Sequence, residues 1–103
     1  SEIVGLKSEL VKLLDDARHI AGTPFKLNSG YRTKEQNKKA GGVPDSAHLS
    51  GLAVDIACTT DAARHKIINA LQKVGFNRIG ISKSFIHADI AKDKSPNVIW
   101  LYD

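Results

Sequence analysis

The chain is poor in cysteine, with Cys58 alone among 103 residues. No internal disulfide can form, a metal site made of cysteines is excluded, and Cys58 is expected to pack as a small buried residue. No apolar run comes near the roughly 20 residues that span a bilayer, so no membrane partner is expected. Aromatics are scarce, at 6%, and none interleaves with a basic stripe: Lys34, Lys38 and Lys39 cluster, and the other lysines scatter. The net charge of +4 therefore suits an anionic partner without pointing to nucleic acid, which is not expected to bind. Repeats, low-complexity segments and linkers are absent too, which leaves one domain over residues 1–103 with a single modest core. Its first 20 residues read as a polar-faced helix and not as a signal peptide. A mature chain would look the same, so secretion stays open.

What is present is a mixed pattern of periods. Ile3, Leu6, Leu10, Leu13, Ala17 and Ile20 recur at steps of three and four, the buried stripe of a helix that Gly22-Thr23-Pro24 ends. His19 falls in its last turn, where a cation suits the helix dipole. Phe25 to Tyr31 alternates as a strand, and Arg32 follows at its end. Thr33 opens a short helix with Gln36 at capping-box spacing, and Gly41-Gly42 closes it. Leu52 to Ala57 is an apolar run interrupted by Asp55, read as a buried strand. Thr59-Thr60-Asp61 caps a third helix whose stripe is Ala63, Ile67, Ala70, Leu71 and Val74, with Gly75 as its stop and His65 facing solvent. Arg78 to Ser82, Phe85 to Ala91 and Asn97 to Tyr102 read as strands, the first two joined by a tight turn, with Trp100 a core or rim aromatic. Helices early and strands late predict an α+β fold with a mainly antiparallel sheet flanked by helices.

The chemistry gathers on two of those strands. A carboxylate inside an apolar run is costly to bury without a cation or strong donor to receive it. His48 stands seven residues before Asp55, where a loop would deliver the chain into the strand. Side chains alternate between the faces of a strand, so Phe85, His87 and Asp89 share one face, as do Ala53, Asp55 and Ala57. If the strands neighbour each other, one surface carries Asp55, His87 and Asp89 beside small alanines, and Leu52, Val54, Ile56, Ile86 and Ile90 face the core. Two imidazoles and a carboxylate are what an open zinc site requires. A His–Asp ion pair buried across the sheet, with no metal, explains the same residues.

Ser29-Gly30-Tyr31-Arg32, then Ser46-x-His48-x-x-Gly51-x-Ala53-x-Asp55, then Phe85-Ile86-His87-Ala88-Asp89 resemble the zinc D-Ala-D-Ala carboxypeptidase family. The similarity is to its small bacterial and phage-borne members. The wider group includes D-Ala-D-Ala dipeptidases, L-alanyl-D-glutamate endolysins and the hedgehog domain. The resemblance implies zinc held by His48, Asp55 and His87, and Arg32 as the cation that binds substrate and steadies the developing negative charge. Gln36 would face the same cleft or serve as a cap, and Ser46 would orient His48 or end its loop. Gly51 would allow a close backbone approach near the metal or simply make a turn. The acidic general base that the best-described members carry three residues before the second histidine is replaced here by Ser84. Asp89 follows His87 instead, with three roles open to it: catalytic base, holder of a water at the metal, or support for His87.

The implied activity is zinc-dependent hydrolysis of peptidoglycan stem or cross-link peptides next to a D-amino acid, of carboxypeptidase or endopeptidase type, by a monomer. The expected place is the cell envelope, the periplasm or the medium, or a host wall attacked by a phage protein. The alternatives are a catalytically silent zinc or wall-binding domain of the same fold, and a basic protein with a structural His–Asp pair.

Overall fold

The computed structural model describes residues 5–29 and 51–102. Their elements run α1 (Ser8–Ala21), β1 (Leu27–Ser29), β2 (Ala53–Ala57), α2 (Asp61–Val74), β3 (Arg78–Ile81), β4 (Phe85–Asp89) and β5 (Val98–Leu101). Neither helix is long and apolar enough to cross a membrane. The second short helix expected from Thr33 lies outside the described residues, as do Arg32, Gln36, Ser46 and His48.

α1 starts at Ser8, later than its apolar spacing suggested, and Leu6 packs against the core from outside the helix. Its buried stripe is Leu10, Leu14 and Ala17. Leu13 is only partly covered, and Ile20, expected inside, is 47% exposed. One turn of 3.6 residues places Leu14 directly above Leu10, while Leu13 falls to the side and Ile20 drifts off the stripe. α2 follows its sequence signals closely. The Thr60 side chain accepts a hydrogen bond from the Ala63 N–H, and Gly75 ends the helix with φ 105°. Ile67, Ala70 and Leu71 are its buried face, and His65 is exposed, as expected.

The five strands form one sheet in the order β1-β2-β4-β3-β5. All neighbours are antiparallel except β3 and β5, which run parallel. The parallel pair follows from connectivity: β4 ends beside Arg78, the first residue of β3, and residues 90–97 cross that end of β3 to start β5 opposite Arg78. Both helices cover one face of the sheet, where Val54, Ile56, Ile79, Ile86 and Ala88 join Leu10, Leu14, Ala17, Ile67, Ala70 and Leu71 in a single core, with Cys58 and Phe76 at its margin. Fully burying an Ile or Leu side chain contributes about 1.5–3 kcal/mol, so this face supplies most of the fold's stability. The predicted α+β fold with a mainly antiparallel sheet is the one observed.

Alternation then sends the other half of the strand residues to the face the helices leave open. Ala53, Asp55 and Ala57, Arg78 and Gly80, Phe85, His87 and Asp89, and Trp100 all belong to it. Ala53 and Ala91 form a small apolar cluster of their own there.

Candidate functional site

In the β2–β4 ladder Asp55 stands directly opposite His87, which is the pairing that the sequence pattern required. His87 Nδ1 and Asp55 Oδ1 are 3.0 Å apart. On the far edge of the ring, His87 Nε2 lies 2.7 Å from Asp89 Oδ2. All three side chains are buried. The imidazole is thus held edge-on between two carboxylates, one on the neighbouring strand and one two residues on along its own.

Asp89 is the most enclosed of the three, at 1% exposure. Its second oxygen, Oδ1, accepts from Arg78 Nε at 2.7 Å and from the Ala91 N–H at 3.1 Å. Arg78 also donates through Nη1 to the Ser95 carbonyl at 2.5 Å, and its guanidinium lies 5.1 Å from the centre of the Trp100 ring. Trp100 packs in turn against His87, with ring centres 5.3 Å apart. Trp100 reaches that place because Gly80 lies beside it on β3. A β-carbon at Gly80 would stand 2.6 Å from Trp100 Nε1 and from a Tyr102 ring carbon. The aromatic is therefore a rim residue that roofs the histidine and the arginine together.

Charge follows this geometry. Burial pushes the His87 pKa down, but the hydrogen bonds and charges of Asp55 and Asp89 outweigh it and hold it above the ordinary histidine value. Burial pushes Asp89 up, and the bond to His87, the His87 and Arg78 charges and the Ala91 N–H outweigh that, so its carboxyl sits below the usual range. Each ring nitrogen faces a carboxylate oxygen, an arrangement that favours the protonated ring.

Whether these groups suit a metal turns on where the ring nitrogens point. Tetrahedral zinc with ordinary Zn–N and Zn–O lengths places two of its ligand atoms ~3.3 Å apart, and the Nδ1–Oδ1 pair at 3.0 Å stands close to that separation. The opposite nitrogen meets a carboxylate, the support that metal-ligating histidines generally have. Asp55 and His87 therefore fit zinc as a pair. Asp89 faces the wrong edge of the ring to join them. Among the described residues no three His, Cys, Asp or Glu side chains form a metal-holding group; the third expected ligand, His48, lies outside them.

The family model for peptidase M15 matches residues 2–89. The chain belongs to the peptidase M15 family. A solved structure supports the architecture: the crystal structure of the Serratia marcescens L-Ala D-Glu endopeptidase ChiX superposes with a TM-score of 0.68 at 19% identity, covering 87% of this chain and 84% of that one. No curated protein matches this M15 chain in sequence.

For the M15 site as predicted, Asp55, His87 and Asp89 are brought together on the open face, and Arg32, Gln36, Ser46 and His48 fall outside the described residues. Gly51 has φ +73° and does permit a close approach, but the partner is the N-terminal segment. A β-carbon there would lie 2.3 Å from the Gly5 carbonyl oxygen, and Lys7 N–H donates to the Gly51 carbonyl at 3.0 Å. Arg78 was missed. In the sequence it is an ordinary arginine at the start of a strand, and its register against Asp89 becomes visible only once β3 and β4 are paired.

Proposed function

We propose that this M15 chain is a zinc-dependent peptidase that hydrolyses peptidoglycan peptides at a bond next to a D-amino acid, outside the cytoplasmic membrane. The observation that carries the reading is the directly opposed Asp55 and His87, with Nδ1 and Oδ1 3.0 Å apart and the other ring nitrogen held by Asp89. His87 through Nδ1, Asp55 through its carboxylate and His48 would hold the ion. When bound, zinc supplies a Lewis acid for the scissile carbonyl and makes water nucleophilic near neutral pH.

The chain's own residues do the rest. Asp89 keeps His87 in the tautomer with hydrogen on Nε2, which leaves the Nδ1 lone pair for the metal side. Of the three roles that the sequence left open for Asp89, this positioning role is the one proposed. Its oxygens already serve His87, Arg78 and Ala91. Arg32, by its family motif, binds the substrate carboxylate or steadies the oxyanion. The Serratia protein of the same fold is an L-Ala D-Glu endopeptidase, and a stem-peptide bond of that kind, flanked by a D-residue, is the substrate class proposed.

Digestion of purified peptidoglycan, with products identified by mass, tests the reading. Zinc-loaded wild-type protein is expected to release defined peptide fragments, and Asp55→Ala, still folded, to release none and bind no zinc. Zinc uptake without any product from wall material would instead indicate a binding domain. Equal zinc uptake by Asp55→Ala would overturn the ligand assignment.

A further inference from the structure

We infer that Arg78 is a positioning residue for the metal site, acting through Asp89 on the orientation of His87. The inference rests on the zinc reading above and extends it by one residue that lies outside the three motifs of the sequence analysis. Among the described residues, Arg78 is the only group seen to tie the Asp89 side chain to a second segment of the chain. Nε donates to Asp89 Oδ1 at 2.7 Å, Nη1 donates to the Ser95 carbonyl at 2.5 Å, and the guanidinium lies against Trp100. Its side chain is only 12% exposed, so the pair is shielded from the water that makes most surface ion pairs ineffective.

The consequence for His87 follows from counting donors. Asp89 has one oxygen filled by Arg78 and Ala91, which leaves the other turned to His87 Nε2. Without Arg78 the carboxylate keeps a single backbone anchor and can rotate about its χ2, which is broad for this side chain. The imidazole is then no longer compelled to present Nδ1 towards Asp55. Arginine suits the task because a planar fork can serve Asp89 and Ser95 at once while stacking on an aromatic ring, and a lysine ammonium cannot do all three. Trp100 touches both Arg78 and His87, so the relay is braced on the same side at both ends.

The experiment compares wild type with Arg78→Met, which keeps the apolar stem, and Arg78→Lys, which keeps the charge. Zinc affinity is read by competition with a colorimetric chelator, and the His87 ring nitrogens by ¹⁵N NMR of the loaded protein. Arg78→Met is expected to bind zinc up to about 10-fold more weakly, the low end of the cost of losing a direct partner of a metal ligand, because Arg78 acts one hydrogen bond further out, with Arg78→Lys also weakened. The ¹⁵N signals are expected to show one form in wild type, with metal on Nδ1 and hydrogen on Nε2, and in the variants a second form with metal on Nε2 or none. Should Arg78→Met not fold, Arg78→Lys is read the same way. Wild-type zinc affinity and an unmixed His87 signal in the folded variant would overturn the inference alone. A wild-type chain that takes up no zinc would overturn the metal reading beneath it.

Discussion

Replacing Asp89 separates two consequences of one carboxylate, because alanine and asparagine remove different parts of it. Asp89→Ala leaves three donors facing a void: Arg78 Nε, the Ala91 N–H and His87 Nε2. Breaking a buried ion pair by deleting one partner costs about 3–5 kcal/mol, and Arg78 recovers part of that through Ser95 and Trp100. Even about 3 kcal/mol would be a large share of the 5–15 kcal/mol that holds a small domain together. At roughly 4–8 °C per kcal/mol, the metal-free melting temperature should fall by at least about 12 °C. Asp89→Asn behaves differently. Two donors converge on the Oδ1 position and one on the Oδ2 position, so the asparagine oxygen settles towards Arg78 and Ala91 and its NH2 points at His87. Nε2 must then accept, and the ring hydrogen moves to Nδ1, where it faces Asp55. The fold survives at a cost near 1 kcal/mol, while zinc affinity drops about 10- to 100-fold. Thermal melts of the metal-free proteins and chelator competition measure both. An Asp89→Asn chain that binds zinc like wild type, or an Asp89→Ala chain that melts within 3 °C of it, would refute the reasoning.

The metal-free protein should be most stable between about pH 4 and 6.5. His87 has a raised folded pKa, so its contribution is complete below its unfolded value of about 6.5 and is lost as pH rises through the raised one. Asp89 has a lowered pKa, so its contribution is complete above about pH 4 and is lost as pH falls through the lowered one; urea midpoints across pH locate the window. Because zinc displaces the Nδ1 proton, that proton alone should make the affinity gain about tenfold per pH unit until the His87 pKa is passed, which titrations at several pH values would show or deny. Gly80→Ala should push Trp100 off its seat at a cost of about 1–3 kcal/mol. The chain has a single tryptophan, so its fluorescence reports that displacement directly, and an unshifted spectrum counts against the contact. Leu71→Ala, far from the open face, should cost about 2–5 kcal/mol and leave the zinc affinity of the folded protein unchanged.

The placing of Asp55 and His87 on one face was legible because both lie in short runs with a strict period of two. The pattern Ala53-Val54-Asp55-Ile56-Ala57 fixes which residues face the helices whatever the neighbouring strand is. Leu14 and Ile20 were harder, since a helical stripe is about a third of a turn wide and two leucines in succession leave its centre open. The parallel β5 was not legible, because its direction depends on which end of β3 residues 90–97 cross. Arg78 was not legible for a related reason: what distinguishes it from the other basic residues is its register against Asp89 and the segment that passes over it. Neither is encoded in its immediate neighbours.

Asp55 and His87 meet as a rung of the sheet and not at the tips of two loops, which makes their separation a matter of whole steps. A slip of β4 by one residue against β2 would swing the imidazole through to the helix side and offer an aliphatic group in its stead. A slip of two would return it to the correct side but displaced by ~7 Å along the strand, opposite Ala53 or Ala57. The ladder offers only whole steps, so any change that slides β4 takes the imidazole off Asp55 altogether.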